Sequence, residues 1–482
     1  MSNIVKFFRL VLFVYLTIPL CYYGHSQNEW SSMYGNYFFS SKFSDTIVGK
    51  QNIYGKLKRE DIQGQRPNII LIMADDLGYG DLDAFGGNGS INTPNLDGLA
   101  DNGLKLTNYH TNGVNCSPTR AALMTGLYPQ EVGIEGVITA KSHRHTGMDP
   151  KVTTLAELVG KAGYRSGIIG KWHLGYQPKF GPIAQGFDEF RGFVSGNVDY
   201  KSHIDQEGYT DWWKGTKLIE EEGYITEIIT DHGIQFMKSI QDNTPFFLYL
   251  AHGAPHFPYQ GPNDPAYRTV NGDFPTLGPR EDIEGAYIEM VESLDRNIGR
   301  ILDYLEENQL LENTLIIFSS DNGPMGTVGS NAPFRGYKGQ VYEGGHHVPA
   351  LFHWKGVIDP RVSDDLVLSM DIFPTIADML NIKNFENSKK VSGLSITPIL
   401  CEDTNFKPLN NRTVFWRFRN GQAALKGKWK LVVVDGKSSL YNLSEDIKES
   451  KDIKAENQDI FLELKRDLQN WEESLRVELR SH

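Results

Sequence analysis

Several short stretches of the chain place ionisable side chains where chemistry is possible. Asp75-Asp76 follow the apolar run Pro67–Met73 (PNIILIM), and Asp321-Asn322 follow Leu315–Phe318 (LIIF). Carboxylate and amide oxygens are the ligands of a hard cation such as calcium or magnesium. Either pair alone reads as well as a strand-end turn or a plain loop; two such pairs favour a metal. Lys171 and His173 follow Arg165–Ile169, and His252 follows Pro245–Leu250 (PFFLYL). Lys338 sits within Arg335-Gly336-Tyr337-Lys338-Gly339, which also reads as an ordinary loop. Lysines offer fixed positive charge to an anion, and histidines exchange protons near neutral pH. A lone histidine is more often a satisfied core residue, and a lone lysine a solvated one. Cys116-Ser117-Pro118-Thr119-Arg120 joins a nucleophilic side chain to a cation, but it also reads as a turn before a helix. A Cys116–Cys401 disulfide is a further alternative.

The elements around these residues would bring them together. Pro67–Met73 is continuously apolar, as a strand buried on both faces of a parallel sheet must be. Arg165–Ile169, Pro245–Leu250 and Leu315–Phe318 read the same way. Thr153–Ala162 predicts a helix, with Leu155, Leu158 and Val159 on one face. Asp282–Asn308 predicts a long one, with Ile283, Tyr287, Met290, Leu294, Ile298, Ile301 and Leu305 at helical spacing. Buried strands alternating with helices predict an α/β fold with a large mixed, mostly parallel sheet sandwiched by helices. In such sheets, ligands bind at the carboxyl ends of the strands, where these polar clusters fall. Beyond residue 400 the pattern changes. Thr413–Arg417, Ala423–Lys426, Trp429–Val434 and Tyr441–Leu443 predict short strands, with Asp435-Gly436 as a hairpin turn. A charged helix over Asn457–Leu479 closes a small antiparallel α+β subdomain. The expected organisation is a signal peptide at 1–26, an extended arm at 27–65, a catalytic domain at 66–400 and the subdomain at 401–482.

The segment Cys116-Ser117-Pro118-Thr119-Arg120, continued by Leu123-Met124-Thr125-Gly126, resembles the maturation motif of type I sulfatases of the alkaline phosphatase superfamily. Gly170-Lys171-Trp172-His173-Leu174-Gly175 resembles a second motif of that family, and the likeness runs from about residue 67 into the C-terminal subdomain. It implies that Cys116 is oxidised to formylglycine by a formylglycine-generating maturation enzyme. It implies that Asp75, Asp76, Asp321 and Asn322, with an oxygen of residue 116, ligate one calcium ion. Arg120 would orient residue 116, and Lys171 and Lys338 would contact the sulfate. His173 would be the base that drives sulfate release, and His252 would protonate the leaving alcohol. Gly186–Phe190, Gly192–Gly196 and Ala254–Pro258 look more like polysaccharide and glycosaminoglycan sulfatases than small aryl ones. The expected substrate is therefore a sulfated carbohydrate. His256 is expected to bind it, and Asn112, Arg144, Asp188, Asp199, His203, His346 and His347 are weaker candidates for the cleft. His143-Arg144-His145 suits an anionic sugar, though it also reads as a solvated loop. Rival functions are a phosphonate monoester or phosphodiester hydrolase of the same superfamily, and a catalytically silent carbohydrate-binding relative.

Composition narrows the setting. Acidic residues outnumber basic ones 60 to 48, which argues against nucleic acid as a partner. An anionic substrate must then meet a local basic pocket. Lys6 and Arg9 before the apolar Leu10–Leu20, with Gly24-His25-Ser26 behind, predict an export signal and a periplasmic or secreted protein. A membrane anchor is the alternative reading of that run. No stable membrane insertion is expected elsewhere.

Overall fold

Asn68–Ala74 forms the first strand, β1, and all seven of its residues are buried. It pairs on both sides, so neither face nor edge meets water, and only an apolar run satisfies that position. Each fully buried Ile, Leu or Met there contributes roughly 1.5–3 kcal/mol. A computed structural model describes residues 62–241, 244–274, 276–383, 390–401 and 409–480. The expected signal peptide lies outside these residues, as does the arm except for 62–65. Ile62 is buried in the core, and Gly64 donates its N–H to Met379 O at 2.7 Å, so the end of the arm is packed rather than extended.

After β1, the chain gives α1 (Pro94–Asp101), β2 (Leu104–Leu106), α2 (Cys116–Thr125), α3 (Leu155–Lys161), β3 (Arg165–Lys171), β4 (Glu189–Phe193), β5 (Trp213–Lys214), β6 (Lys217–Leu218) and α4 (Ile225–Ser239). Then follow β7 (Phe246–Ala251), α5 (Ile283–Glu307), β8 (Thr314–Ser320), β9 (Ala350–His353), β10 (Arg361–Ser363) and α6 (Ile372–Met379). The last elements are β11 (Thr413–Phe418), β12 (Gly421–Lys426), β13 (Trp429–Val434), β14 (Lys437–Asn442) and α7 (Gln458–Arg480).

Ten strands form one mixed sheet in the order β10-β2-β9-β8-β1-β7-β3-β4-β5-β6. Its centre is parallel: β8, β1, β7, β3 and β4 run the same way. Strand β9 runs antiparallel between β8 and β2, and β5 runs antiparallel to β4. Met73 lies opposite Ala251 on one side and Ser319 on the other, so β1, β7 and β8 end at one level. The hydrogen-bonding continues one step past the strands: His252 N donates to Met73 O at 3.0 Å and Asp321 N to Ala74 O at 3.1 Å. Helix α3 packs on β3, and α4 packs on β3, β7 and α5. The sequence sets these helices locally. Thr154 and Glu157 form a reciprocal capping box at the start of α3, and Asp282 Oδ1 accepts from Gly285 N at 2.9 Å at the start of α5.

Strands β11 to β14 form a separate antiparallel meander. Asp435 and Gly436 turn β13 into β14 with φ of 50° and 74°, the left-handed pair a two-residue hairpin requires. Leu464, Leu468, Trp471 and Leu475 recur along one face of α7 and join the core under this sheet. Trp416 of β11 donates its indole N–H to Thr111 O at 2.7 Å, tying the meander to the segment before α2. All described residues belong to one compact unit, and among them no helix is long and apolar enough to cross a membrane. Cys116 carries a free, buried thiol, so no disulfide joins it to Cys401.

Gly170 shows how tightly the sheet is built before the site. Its φ is 116°, and a Cβ there would stand 2.0 Å from the carbonyl oxygen of Ala251. Gly170→Ala is expected to cost at least about 2 kcal/mol of stability, from strain plus a backbone collision. Gly160→Ala, on the exposed side of α3 with nothing within 4 Å, should be neutral or stabilising. Denaturant midpoints of the two variants check this; equal midpoints would refute it.

Candidate active site

Helix α2 begins at Cys116, which places that side chain at the positive end of the helix dipole. Pro118 sits in the first turn, where its missing N–H has no partner to lose. Gly126 ends the helix with a φ of 70°, its N–H bonded to Ala122 O at 2.9 Å. The residues that make Cys116-to-Gly126 a recognisable motif are thus those that start and stop one short, fully buried helix.

Three carboxylates meet three cations beside Cys116. Lys171, the last residue of β3, donates to Asp75 Oδ2 at 2.5 Å. Lys338 Nζ donates to both oxygens of Asp76, at 2.7 and 2.9 Å, and to Cys116 Sγ at 3.3 Å. Arg120 grips Asp321 Oδ2 through Nε at 3.1 Å and Nη2 at 2.9 Å, and its Nη1 reaches Lys171 O at 3.1 Å. Cys116 Sγ donates to Asp75 Oδ1 at 3.4 Å. Asn322 Nδ2 donates to Asp76 Oδ1 at 2.7 Å, and Asp321 Oδ1 accepts from Asp76 N at 3.2 Å. His256 Nε2 lies 3.6 Å from Asp76 Oδ2, while its Nδ1–H faces Phe257 O at 2.7 Å. Ligand atoms of Asp75, Asp76, Cys116 and His256 fall within 4.8 Å of one another.

Burial sets the electrostatics. It lifts the Asp76 carboxyl, but Lys338 and then His256 outweigh it, and Asp76 ends below the ordinary carboxylate range. Asp321 moves the other way: burial and then the Asp75 charge raise it, against Arg120, Lys171 and Lys338. Burial, followed by the charges of Asp321 and Asp75, pushes the Cys116 thiol up to about 12, so it is a thiol and not a thiolate. Burial alone lowers His252 to about 3. Burial first, and neighbouring ammonium groups second, hold His173 and His256 well below the usual imidazole value. All three rings are therefore neutral near pH 7.

His173 Nε2 contacts Ile138 O at 3.0 Å, and its Nδ1 has no hydrogen-bond partner among the described residues. His252 Nδ1 also lacks one, and so does the buried Oδ1 of Asn322. Asp76 and His173 hold left-handed backbones, with φ of 66° and 60°, where non-glycine residues are strained. An open pocket lies above Cys116. Its wall includes His173, His256 and Lys338, with Tyr176, Ser195, Asn197, Gln206, Glu207 and Met325.

The structure therefore brings Asp75, Asp76, Cys116, Arg120, Lys171, Lys338, His256, Asp321 and Asn322 together and sets His173 in the pocket wall. His252 is buried directly after β7 but is not among the residues lining the pocket. The other cleft candidates mostly fall elsewhere. Asn112 Oδ1 accepts from Ser369 Oγ and Met370 N, and Asp188 Oδ2 from Ser166 N. Asp199 gathers the N–H groups of Lys201, Ser202, Tyr267 and Arg268, and His203 packs on Trp212. His346 and His347 belong to a buried cluster with His110, Glu343 and Lys430. Arg144 is exposed and stacks on Tyr176, which lines the pocket. The sequence reading missed Tyr249, whose hydroxyl accepts from Arg120 Nη1 at 3.3 Å. A tyrosine in the middle of an otherwise apolar strand was the available signal.

Comparison with known proteins agrees with this geometry. A family model described as Sulfatase matches residues 67–382. N-acetylgalactosamine-6-sulfatase of Homo sapiens is 34% identical over 378 residues, covering 73% of this chain and 68% of that one. Arylsulfatase A of Homo sapiens is 34% identical over 344 residues, covering 64% and 63%. The crystal structure of Ps i-CgsB in complex with k-i-k-neocarrahexaose superposes with a TM-score of 0.75 at 30% identity, over 84% of this chain and 93% of that one. The phosphonate monoester hydrolase of Agrobacterium radiobacter, at 21% identity and a TM-score of 0.62, shares the alkaline phosphatase-like fold alone. Matches of this extent, in the family model and in relatives across most of both chains, decide the family: the chain belongs to the sulfatases and is a sulfuric ester hydrolase.

Proposed function

We propose that the protein hydrolyses sulfate esters on a sulfated carbohydrate, using residue 116 as nucleophile after its conversion to formylglycine, with one bound calcium ion. The observation that carries this reading is the position of Cys116. It sits at a helix N-terminus, on the floor of an open pocket, within hydrogen-bond reach of both an Asp75 oxygen and the Lys338 ammonium. A buried thiol with its pKa pushed up to about 12 is a poor nucleophile as it stands, which favours a modified side chain.

The residues present suit a hard cation. Asp75, Asp76 and Asp321 offer carboxylate oxygens, and Asn322 Oδ1 is a buried acceptor with nothing to accept from among the described residues. Three carboxylates against Arg120, Lys171 and Lys338 give a net charge near zero (−3 + 3). A divalent ion would make it about +2, the sign that holds a sulfate monoester. The ion supplies fixed positive charge beside the reacting oxygens, and the aldehyde hydrate supplies an oxygen nucleophile plus a second hydroxyl through which sulfate is released.

The chain's own side chains divide the remaining work. Arg120, locked on Asp321, holds the first turn of α2 in place. Lys171 and Lys338 direct N–H groups at the sulfate oxygens, where charge builds in the transition state. His173 is neutral and has a free Nδ1, as a base must. His252 protonates the leaving alcohol. Its pKa is low because burial alone acts on it, and since it does not line the pocket this role rests on likeness to the family. His256 meets the substrate at the pocket wall. The names of relatives support a carbohydrate: N-acetylgalactosamine-6-sulfatase, and a structure in complex with neocarrahexaose. A further neighbour, from Bacteroides thetaiotaomicron at 25% identity and a TM-score of 0.68, is described under metabolism of multiple glycosaminoglycans.

Maturation, turnover and calcium binding each test this. The protein co-expressed with a formylglycine-generating system should show the mass of the aldehyde at residue 116 and release inorganic sulfate from at least one sulfated glycan. Cys116→Ala should fold normally and release none. Sulfate release by the alanine variant would end the proposed mechanism, and faster turnover of phosphonate esters than of every sulfate ester would favour the rival hydrolase. Calcium at a hundred times its Kd should add about 2.7 kcal/mol of stability, read as a rise in Tm. Asn322→Ala should weaken that calcium response, and an unchanged response would remove Asn322 from the ligand set.

A further inference from the structure

Arg144 is an exposed cation whose charge is not used within the described structure. Its guanidinium lies 4.7 Å above the ring of Tyr209 and 5.7 Å above that of Tyr176. It makes no ion pair or hydrogen bond with any described residue, so its N–H groups remain free while the two rings hold its plane. Tyr209 is itself 53% exposed, so the stacked guanidinium stands at the surface and is open to a ligand.

The place of this cation in the fold gives it meaning. Tyr176 lines the pocket above Cys116, and so do Ile138 and Thr139. Ile138 is pinned at the reacting end: its N–H donates to Ser117 Oγ at 3.1 Å, and its carbonyl meets His173 Nε2 at 3.0 Å. Six residues further on, the same segment carries Arg144. It is then fastened again, by His145 Nδ1 to Gln177 Nε2 at 2.9 Å and by pairing of Gly147 with Gly175. One short segment therefore touches the nucleophile's helix at one end and at the other presents a guanidinium stacked on Tyr176 of the pocket wall. Between them, the wall carries Asn197, Gln206 and Glu207, which suit sugar hydroxyls, and Asn197 Oδ1 has no partner among the described residues.

We infer that Arg144, held on Tyr176 and Tyr209, is a specificity-determining residue that binds a second anionic group, a sulfate or a carboxylate, on the sugar next to the one being desulfated. This rests on the proposed sulfatase action on a carbohydrate and names its substrate class more closely: a glycan with negative charge on adjacent rings. A planar guanidinium fits either anion through two parallel N–H donors.

Three disaccharides test it. They share the sulfated ring and differ in the neighbouring ring, which bears a sulfate, a carboxylate or no charge. The matured protein should favour one or both charged neighbours by about 10-fold or more in kcat/KM, mostly through KM, as a charge-assisted hydrogen bond predicts. Which charged arm is preferred identifies the anion. Arg144→Ala should bring that preference close to unity while leaving the uncharged disaccharide unchanged, and Arg144→Lys should restore part of it. Added salt should shrink the wild-type preference and leave that of Arg144→Ala unaffected. Equal wild-type rates on all three, or a preference that survives in Arg144→Ala, would overturn the inference and leave the sulfatase reading standing. No sulfate from any sulfated glycan would remove that reading and this one together.

Discussion

Three carboxylates buried at the ends of two neighbouring strands are the constraint on which the rest of this structure depends. Asp75, Asp76 and Asp321 are all 2% exposed or less. An ionised carboxylate in such a place is too costly unless cations are built in beside it. Each cation comes from a different part of the chain: Arg120 from α2, Lys171 from the end of β3, and Lys338 from a loop after β8. Charge compensation thus couples the central sheet, the helix that carries Cys116 and that loop. Asp76 and Asp321 respond differently because their partners differ. Asp76 has an ammonium on both of its oxygens and titrates low. Asp321 shares its surroundings with Asp75 and is raised despite Arg120.

The parallel sheet positions Asp75, Asp76, Asp321 and Lys171, and α2 carries Arg120, but Lys338 stands on a loop that no strand controls. The C-terminal meander supplies that control. Lys430 of β13 is fully buried and pairs with Glu343 at 2.6 Å and Glu449 at 3.0 Å. Glu449 also accepts from Glu343 N at 2.7 Å, and its carbonyl takes Arg335 Nη1 at 2.6 Å. Residues 335 to 343, with Lys338 between them, are therefore clamped from the side of the small sheet. This also explains His346 and His347. His347 Nδ1 bonds Glu343 at 2.8 Å, and His346 Nε2 meets Lys430 at 3.2 Å, so both rings complete the clamp instead of facing substrate.

What could be read from the sequence follows the same division. The four central strands were legible because a strand buried on both faces must be apolar throughout, and their ends were legible because polar pairs interrupt those runs. Strands β2, β5, β6 and β10 have two or three residues each, too few to show any period. Strand β9 is apolar but short, and its antiparallel direction depends on neighbours far away in sequence. Cys116 and Lys338 were placed by likeness to a family, not by pattern. His346 looked like a site residue because its partner Lys430 is 84 positions away, and no local signal announces it. Tyr176, Asn197 and Glu207 were not singled out because they stand on irregular segments, where residue type carries little positional information.

The site accordingly has two kinds of wall. The floor is made from strand ends, a helix start and paired charges, and even its strained residues, Asp76 and His173, are over-determined by what surrounds them. Such a floor cannot be altered one residue at a time, because each side chain also neutralises or orients another. The rim is made from loops, with exposed Arg144 and Tyr209 bearing no structural charge pair, so substitution there leaves the floor intact. Reaction type belongs to the first wall, and the second is free to vary with the substrate. That is why the chemistry of sulfate ester cleavage shows in the motifs of the chain, while the identity of the substrate must be sought in side chains that the fold itself does not need.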